Sequence, residues 1–372
     1  MESRAGATDG AQNAISESAA LHERARAFVR AFEEGRENPE PFDALARDLA
    51  RFQARYVAGY TNLIRARGLD PERFERAADA PAVPTDAFKV ARVSAFPEAE
   101  TPVVFRTSGT TVGDRGSHFF RDPSTYDAAA VAFARRTLLR GFPERVHVLV
   151  LGPSAVDLPD SSLCHMNEAF VRAFGLPGDG DVYFLRNDIL DVAALDETVA
   201  RILVTSDAPV LLLATAFACV YLLDAVGDSG FRLPKGSRVM QTGGFKGKTR
   251  EVEPSVLRRD LARAFHISPD DVLGEYGMTE LSSQFYEDRG GGIYLEPPWA
   301  RVVPVDPVTL EPVEEGAEGI ARIEDLMNVD SAFALLAADR VRRVPGGFEL
   351  LGRAPGAPPR GCSLTVEEIL GR

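Results

Sequence analysis

Cysteine is scarce in this chain, with three in 372 residues. Cys164, Cys219 and Cys362 are too few and too scattered for a disulfide framework or a zinc pattern, so the chain is expected in a reducing, cytoplasmic setting. The first stretch, MESRAGATDGAQNAISESAA, lacks the apolar core of a secretory signal and reads as a solvated, mobile leader over 1–20. No apolar run is long enough to cross a bilayer. The most apolar, Val210 to Leu223, fits a buried strand passing into a buried helix, which excludes a membrane partner. Positive charge is also wanting: the formal net charge is −13, and no basic cluster interleaved with aromatics offsets it, which excludes nucleic acid. Internal repeats and an interdomain linker are absent.

What is present divides by texture. Over 21–100, apolar residues recur at three- and four-residue spacing, as in ALARDLARFQARYVAGYTNLIRA, which marks a helical N-terminal region. Over 101–290, short β-branched runs such as VHVLVLG, PVLLLAT and RVMQTGG alternate with helical patterns. That alternation predicts an α/β core with a mostly parallel sheet. Over 291–372, segments such as GGIYLEPPWARVVPVDP and RVRRVPGGFELLGR, broken by Gly and Pro, predict a small β subdomain.

Ligands of open α/β sheets sit beyond the carboxyl ends of strands, which directs attention to three loops. In VVFRTSGTTVGDRG, Thr107, Ser108, Gly109, Thr110 and Thr111 offer hydroxyls and unhindered backbone N–H groups suited to phosphate oxygens; read alone, such a stretch is more often just a turn. In QTGGFKGKT, Gly247-Lys248-Thr249 resembles a P-loop, but the glycine required five residues earlier is Thr242, so the amide nest has the wrong span. In DVLGEYGMTELSS, Tyr276, Gly277, Met278, Thr279 and Glu280 place an aromatic face, a glycine, a hydroxyl and a carboxylate within five residues. That set suits a nucleotide with Mg²⁺, or else a strand end with a capped turn.

Together these loops resemble the AMP-forming adenylating enzymes: acyl-CoA ligases, adenylation domains and luciferases. TSGTT is similar to their phosphate loop and YGMTE to their nucleotide motif. LAADRVRRVPGGFELLGR is similar to the stretch in which an aspartate, here Asp339, binds ribose and an arginine, here Arg353, marks a hinge. VPTDAFK, PDSSLCHM, TGGFKGK and RGCSL narrow the resemblance to the acyl-protein synthetases, or fatty-acid luciferin-component ligases. The resemblance implies the adenylate-forming N-terminal domain and ATP and Mg²⁺ as cofactors. It further implies activation of a fatty or aromatic carboxylic acid to acyl-AMP, then transfer to Cys362 for delivery to an acyl-accepting protein such as a reductase or carrier. The family pattern also includes a mobile lysine-bearing C-terminal lobe; this sequence ends nineteen residues after Arg353, and the expectation is a core without it. Charge neutralisation then falls to Mg²⁺ with Arg115, Lys246 or Arg360, or to another subunit.

On this reading Thr107, Ser108, Gly109, Thr110, Thr111 and Thr279 donate to phosphates, with Thr110, Thr279, Arg353 and Cys362 as the catalytic set. Glu280 holds the metal, Tyr276, Gly277, Gly243 and Gly244 flank adenine, and Asp339 takes the ribose or, alternatively, caps a turn. Ser161, Ser162, His165, Thr215 and Phe217 are candidates for the acid pocket, His165 being equally a structural histidine. Cys164 and Cys219, in apolar surroundings, read as core. Thr365 and Glu368 form a capping-box pattern that predicts a short helix just after Cys362, where the helix end and Arg360 favour thiolate. Two other readings remain: an acyl- or aryl-CoA ligase with coenzyme A as acceptor, and a non-catalytic acyl or nucleotide binder.

Overall fold

The computed structural model describes residues 2–108, 115–186, 189–227, 230–243, 252–354 and 360–371. They form two compact units. The first comprises 1–132, 278–283 and 296–372; the second comprises 133–277 and 284–295.

The first unit opens with helices α1 (Glu2–Glu33), α2 (Phe42–Tyr56) and α3 (Ala58–Ala66). In α2 the 3.6-residue period puts Leu45, Leu49 and Phe52 on one buried face, with Arg47, Asp48 and Arg55 on the other. Gln53 shares the buried face. Its amide donates to the Asn328 and Val329 carbonyls at 2.8 and 3.0 Å and accepts from the Phe333 N–H at 3.1 Å, so a polar residue is buried without cost to its hydrogen bonds. Strand β1 (Val83–Pro84), helix α4 (Ala87–Val90) and the hairpin β2 (Val103–Arg106) and β3 (Ser117–Phe120) follow. Helix α5 (Ser124–Arg136) leads out of this unit.

The second unit is a βα-alternating sheet. Strand β4 (His147–Leu151) is followed by α6 (Ser162–Phe174), the small hairpin β5 (Leu185–Arg186) and β6 (Ile189–Leu190), and α7 (Val192–Thr205). Then come β7 (Val210–Thr215), α8 (Ala216–Val226), β8 (Arg238–Thr242), α9 (Pro254–Phe265) and β9 (Val272–Tyr276). Strands β4, β7, β8 and β9 pair in parallel in that order. Antiparallel β10 (Phe285–Glu287) and β11 (Tyr294–Leu295) extend the sheet beyond β9. The apolar strand residues Leu212, Val239 and Val272 pack with Leu222, Leu257, Leu261 and Phe265 of the helices in one cluster, where truncating a single Leu to Ala costs ~2–5 kcal/mol.

The chain returns to the first unit with β12 (Ala300–Val305), β13 (Glu318–Asp325), β14 (Ala334–Val344) and β15 (Gly347–Arg353), an antiparallel meander, and ends in α10 (Arg360–Ile369). Strand β1 pairs in parallel with β14, and α10 packs on α3 and β1. Gly59 makes this docking feasible: a Cβ there would stand 2.9 Å from Ile369 Cγ2. Arg67 of the segment after α3 donates to the buried Thr365 hydroxyl at 2.6 Å and pairs with Glu368 at 2.9 Å.

The α/β fold expected from the sequence is present, as are its parallel strands. Three finer expectations are corrected. Residues 2–20 are not a leader outside the fold but the first turns of α1; Ala14 and Ser18 are buried, and the Ser18 hydroxyl donates to Asp330 at 2.6 Å. The helical region of 21–100 and the β region of 291–372 are one unit, because β1 completes the C-terminal meander. The last helix starts at Arg360 and contains Cys362, and the capping-box pair Thr365 and Glu368 bonds Arg67 instead. No helix among the described residues is long and apolar enough to cross a membrane.

Candidate active site

In the first unit the site is built on the β2–β3 hairpin. Its loop is pinched at the neck: Thr107 N–H donates to the Gly116 carbonyl at 2.9 Å, and the Thr107 hydroxyl accepts from Gly116 N–H at 2.8 Å. Arg115 turns back onto the same neck, its Nε donating to the Thr107 carbonyl at 2.6 Å. Thr107 and Arg115 thus hold the loop's base, and Ser108 follows them into it. Gly109, Thr110 and Thr111 lie outside the described residues, as do Gly244, Lys246 and the near-P-loop at 247–249. Gly116 sits in close surroundings: a Cβ there would stand 3.3 Å from Thr107 Cγ2, 3.4 Å from Phe88 Cβ and 3.6 Å from Glu280 Oε1.

Glu280 therefore reaches the neck of this loop. It is 5% exposed, and burial pushes its carboxyl up to about 7; nearby Lys89 and Arg353 pull the other way and Asp86 adds to the push. His118, on β3, is buried and held down to about 4 by desolvation, so it is neutral. Its Nδ1 meets the Thr279 carbonyl at 2.9 Å, and because a carbonyl only accepts, Nδ1 carries the proton. The segment 278–283 is held from the other side by the turn after β13. Asp325 accepts from Ser282 N–H at 2.9 Å and the Ser283 hydroxyl at 2.7 Å, while Asn328 Nδ2 donates to the Glu280 carbonyl at 2.9 Å. Asp325 has no exposed surface, and burial raises its carboxyl to about 6.

Asp339 and Arg353 are brought together by register. They face each other across β14 and β15, with Arg353 Nε 3.4 Å from Asp339 Oδ1; the aspartate is mostly covered and the arginine is 81% exposed.

In the second unit Thr215, Gly243 and Tyr276 stand at or just after the carboxyl ends of β7, β8 and β9. Thr215, Thr242 and Glu275 are register partners in one row across β7, β8 and β9, with Gly243 and Tyr276 immediately after the latter two. Thr215 caps α8, accepting from Ala218 N–H at 3.2 Å, and Ser161 caps α6, accepting from Cys164 N–H at 3.3 Å. Ser162 and His165 lie in the first turns of α6, and Phe217, half-buried, packs against the core cluster. Tyr276 is buried beside Phe285 and Tyr294. Gly277 is the last residue of this unit before the chain passes into Met278 of the other. Cys164 and Cys219 are buried; desolvation raises both thiols, Cys219 to about 12, so neither is a ready nucleophile. Cys362 is in the first turn of α10, its side chain outside the described residues.

Four residues escaped the sequence reading. Glu275, bonded by the Thr242 hydroxyl, is buried and raised to about 7 by desolvation. Its signal was a carboxylate inside an otherwise apolar strand. Asp325 and Asn328 stand in DLMNVDS, a mixed run at the end of a strand, and His118 directly precedes two phenylalanines. No motif pointed to them.

Mg²⁺ takes one or two carboxylates together with substrate phosphates and waters. Among the described residues no group of three or more His, Cys, Asp or Glu side chains could hold a metal, so a site made wholly by protein is not on view, whereas Glu280 fits the single-carboxylate role.

A family model described as "Acyl-protein synthetase, LuxE" matches residues 30–371. The long-chain-fatty-acid–luciferin-component ligase of Aliivibrio fischeri is 20% identical over 307 residues, 78% of each chain. Among solved structures, 2-hydroxyisobutyryl-CoA ligase in an open conformation with 2-HIB-AMP and CoA is similar with a TM-score of 0.62 and 13% identity, covering 84% of this chain and 69% of that one. The same ligase in its postadenylation state gives 0.61 at 12% identity, covering 84% and 67%. These likenesses establish a shared fold.

Proposed function

Because the chain belongs to the LuxE acyl-protein synthetase family and is thus an AMP-forming acid–thiol ligase, we propose that it activates a fatty or aromatic carboxylic acid and loads it onto its own Cys362. The observation that carries the adenylation half is Glu280, a buried carboxylate at the neck of a hydroxyl-rich loop, held there by His118, Asn328 and Asp325.

In the first half-reaction a carboxylate oxygen attacks the α-phosphorus of ATP, the bond to the β-phosphate oxygen breaks, and pyrophosphate leaves. Charge gathers on phosphoryl oxygens, where fixed donors are worth most. Ser108, Gly109, Thr110, Thr111 and Thr279 are the donors on this reading, with Thr107 fixing the loop's base. Glu280 would hold Mg²⁺, which would supply charge neutralisation there. Asp339, partly covered and already oriented by Arg353, accepts from ribose hydroxyls, while Tyr276, Gly277, Gly243 and Gly244 flank the base. The carboxyl-end positions Ser161, Ser162, His165, Thr215 and Phe217 face the acid; Ser161 and Thr215 contribute through the helix starts they cap.

In the second half-reaction the Cys362 thiolate attacks the acyl carbon, a thioester forms, and AMP leaves with the electron pair of the broken mixed-anhydride bond. Cys362 lies in the first turn of α10, where a helix N-terminus would favour thiolate, and α10 packs on α3 and β1 in the unit that holds Glu280. The test is acid-dependent exchange of pyrophosphate into ATP, followed by covalent labelling. Formation of ADP in place of AMP would refute adenylation, and acyl-CoA formation without labelling would make coenzyme A the acceptor.

A further inference from the structure

We propose that Asp330 is a positioning residue of the adenylation step, anchored by Ser18 and His22 of α1 and acting through Asn328 on the segment that carries Glu280. The assignment rests on the adenylation reading of the Glu280 site, and all of these residues belong to the first unit.

The anchor begins in α1. Ala14, Ser18, Leu21, Ala25 and Phe28 are its buried stripe, so Ser18 is a hydroxyl among apolar residues, and His22 stands one turn after it. The two reach one carboxylate: the Ser18 hydroxyl donates to Asp330 Oδ1 at 2.6 Å, and His22 Nε2 meets Oδ2 at 3.2 Å. Since a carboxylate only accepts, Nε2 carries the proton. Nδ1 then accepts from the Thr125 hydroxyl at 2.9 Å, whose oxygen takes a bond from Arg26 at 3.0 Å. The Asp330 carbonyl accepts from Ala95 N–H at 2.8 Å. Both carboxylate oxygens and the carbonyl of a residue 7% exposed are thus held from outside its own turn.

Asp330 lies two residues after Asn328, in the turn between β13 and β14. Both side-chain N–H groups of Asn328 are committed, to the Glu280 carbonyl at 2.9 Å and the Ala332 carbonyl at 3.0 Å, and its Oδ1 accepts from the Ser282 hydroxyl. Such a set tolerates little movement of the backbone that carries it. A cavity of about 10 Å³, room for about one water, is lined by His22, His118, Ser282, Asn328, Asp330 and Ser331, so the anchor and the residues that hold Thr279 and Glu280 share one space. A buried carboxylate is a costly way to fill that space, since apolar side chains of similar volume would stabilise the fold as well. What directed bonds add is a single register of the turn.

The test reads the full chain in two ways, for wild type, Asp330→Ala, Asp330→Asn and Ser18→Ala: pyrophosphate exchange with ATP, Mg²⁺ and a panel of octanoate, hexadecanoate and benzoate, and amide hydrogen exchange without ligands. In Asp330→Ala the kcat of pyrophosphate exchange is expected to fall about 100-fold, the scale of a displacement of about 1 Å at a site. The KM for the acid should stay unchanged, because its candidate residues Ser161, Ser162, His165, Thr215 and Phe217 lie in the other unit. Amides of Leu281 and Ser282 should exchange about tenfold faster, while those of Leu212 and Val239 keep their wild-type rates. Ser18→Ala removes one bond and should show smaller shifts in the same direction. Asp330→Asn retains both bonds once His22 changes tautomer and donates from Nδ1 to Thr125, so its kcat should stay within about threefold of wild type. Leu281 and Ser282 amides within about twofold of wild type in Asp330→Ala overturn the assignment. So does equal acceleration at Leu212 and Val239, which would mean general destabilisation, and so does an equal loss of kcat in Asp330→Asn. Should Asp330→Ala fail to fold, Ser18→Ala carries the comparison, and unchanged Leu281 and Ser282 amides in it overturn the assignment. Absence of pyrophosphate exchange by wild type with every acid overturns the adenylation reading and the positioning role with it; hydrogen exchange tells that outcome from failure of the anchor.

Discussion

Replacing Glu280 with glutamine preserves shape and removes a charge from a place where charge is costly. The carboxyl is 5% exposed and raised from 4.5 to about 7 by burial. A folded-state value above the unfolded one means that the native protein holds this proton more tightly. The resulting stability is fully present below the unfolded value and is lost as pH rises through about 7. At ~1.4 kcal/mol per pH unit, the displacement corresponds to ~3 kcal/mol at most. The glutamine amide is itself buried, at a cost of ~1–3 kcal/mol if unpaired, so the pH slope rather than the absolute stability carries the comparison. Urea denaturation of the metal-free protein from about pH 5 to about pH 8 should show wild type losing up to ~3 kcal/mol relative to Glu280→Gln across that interval. The same variant should lose acid-dependent pyrophosphate exchange. Equal pH slopes in the two proteins would refute a desolvated carboxylate at Glu280, and with it the argument for a metal ligand poised at the loop's neck.

Asp325→Ala removes the acceptor of Ser282, Ser283 and Met327 and leaves buried donors unpaired, so chemical denaturation should show a loss of ~3–5 kcal/mol. Exchange should fall with it, since the segment carrying Glu280 is released. Gly59→Val drives a side chain into Ile369 and should cost ~1–3 kcal/mol, while lowering labelling of Cys362 more than exchange, because α10 loses its seat. Asp339→Ala should weaken ATP binding by ~1–3 kcal/mol in calorimetry; an unchanged dissociation constant would return Asp339 to a structural role.

Local patterns carried much of the fold into view. The period-3.6 apolar face of α2 and the β-branched runs that became β4, β7 and β8 were legible because burial imposes those periods on sequence. The pairing of β1 with β14 was not, because two residues give no periodic signal and the partners lie far apart along the chain. The same reason hid α10 on α3: its visible signal, Thr365 and Glu368 at capping-box spacing, is spent on Arg67. At the candidate site, Thr107, Thr279, Glu280 and Asp339 were singled out through resemblance of short motifs. Asp325, Asn328 and His118, which hold Glu280 and its neighbours in place, were missed because a supporting residue is recognised by what it touches, and contact over long sequence separation leaves no local mark.

The central claim, that the acid is activated and then carried on Cys362, is tested most directly by intact-protein mass spectrometry after incubation with ATP, Mg²⁺ and the acid panel. Wild type should gain the mass of one acyl group, released by neutral hydroxylamine, whereas Cys362→Ala should exchange pyrophosphate at a near-normal rate and gain nothing. Equal, hydroxylamine-sensitive labelling of Cys362→Ala would contradict the account.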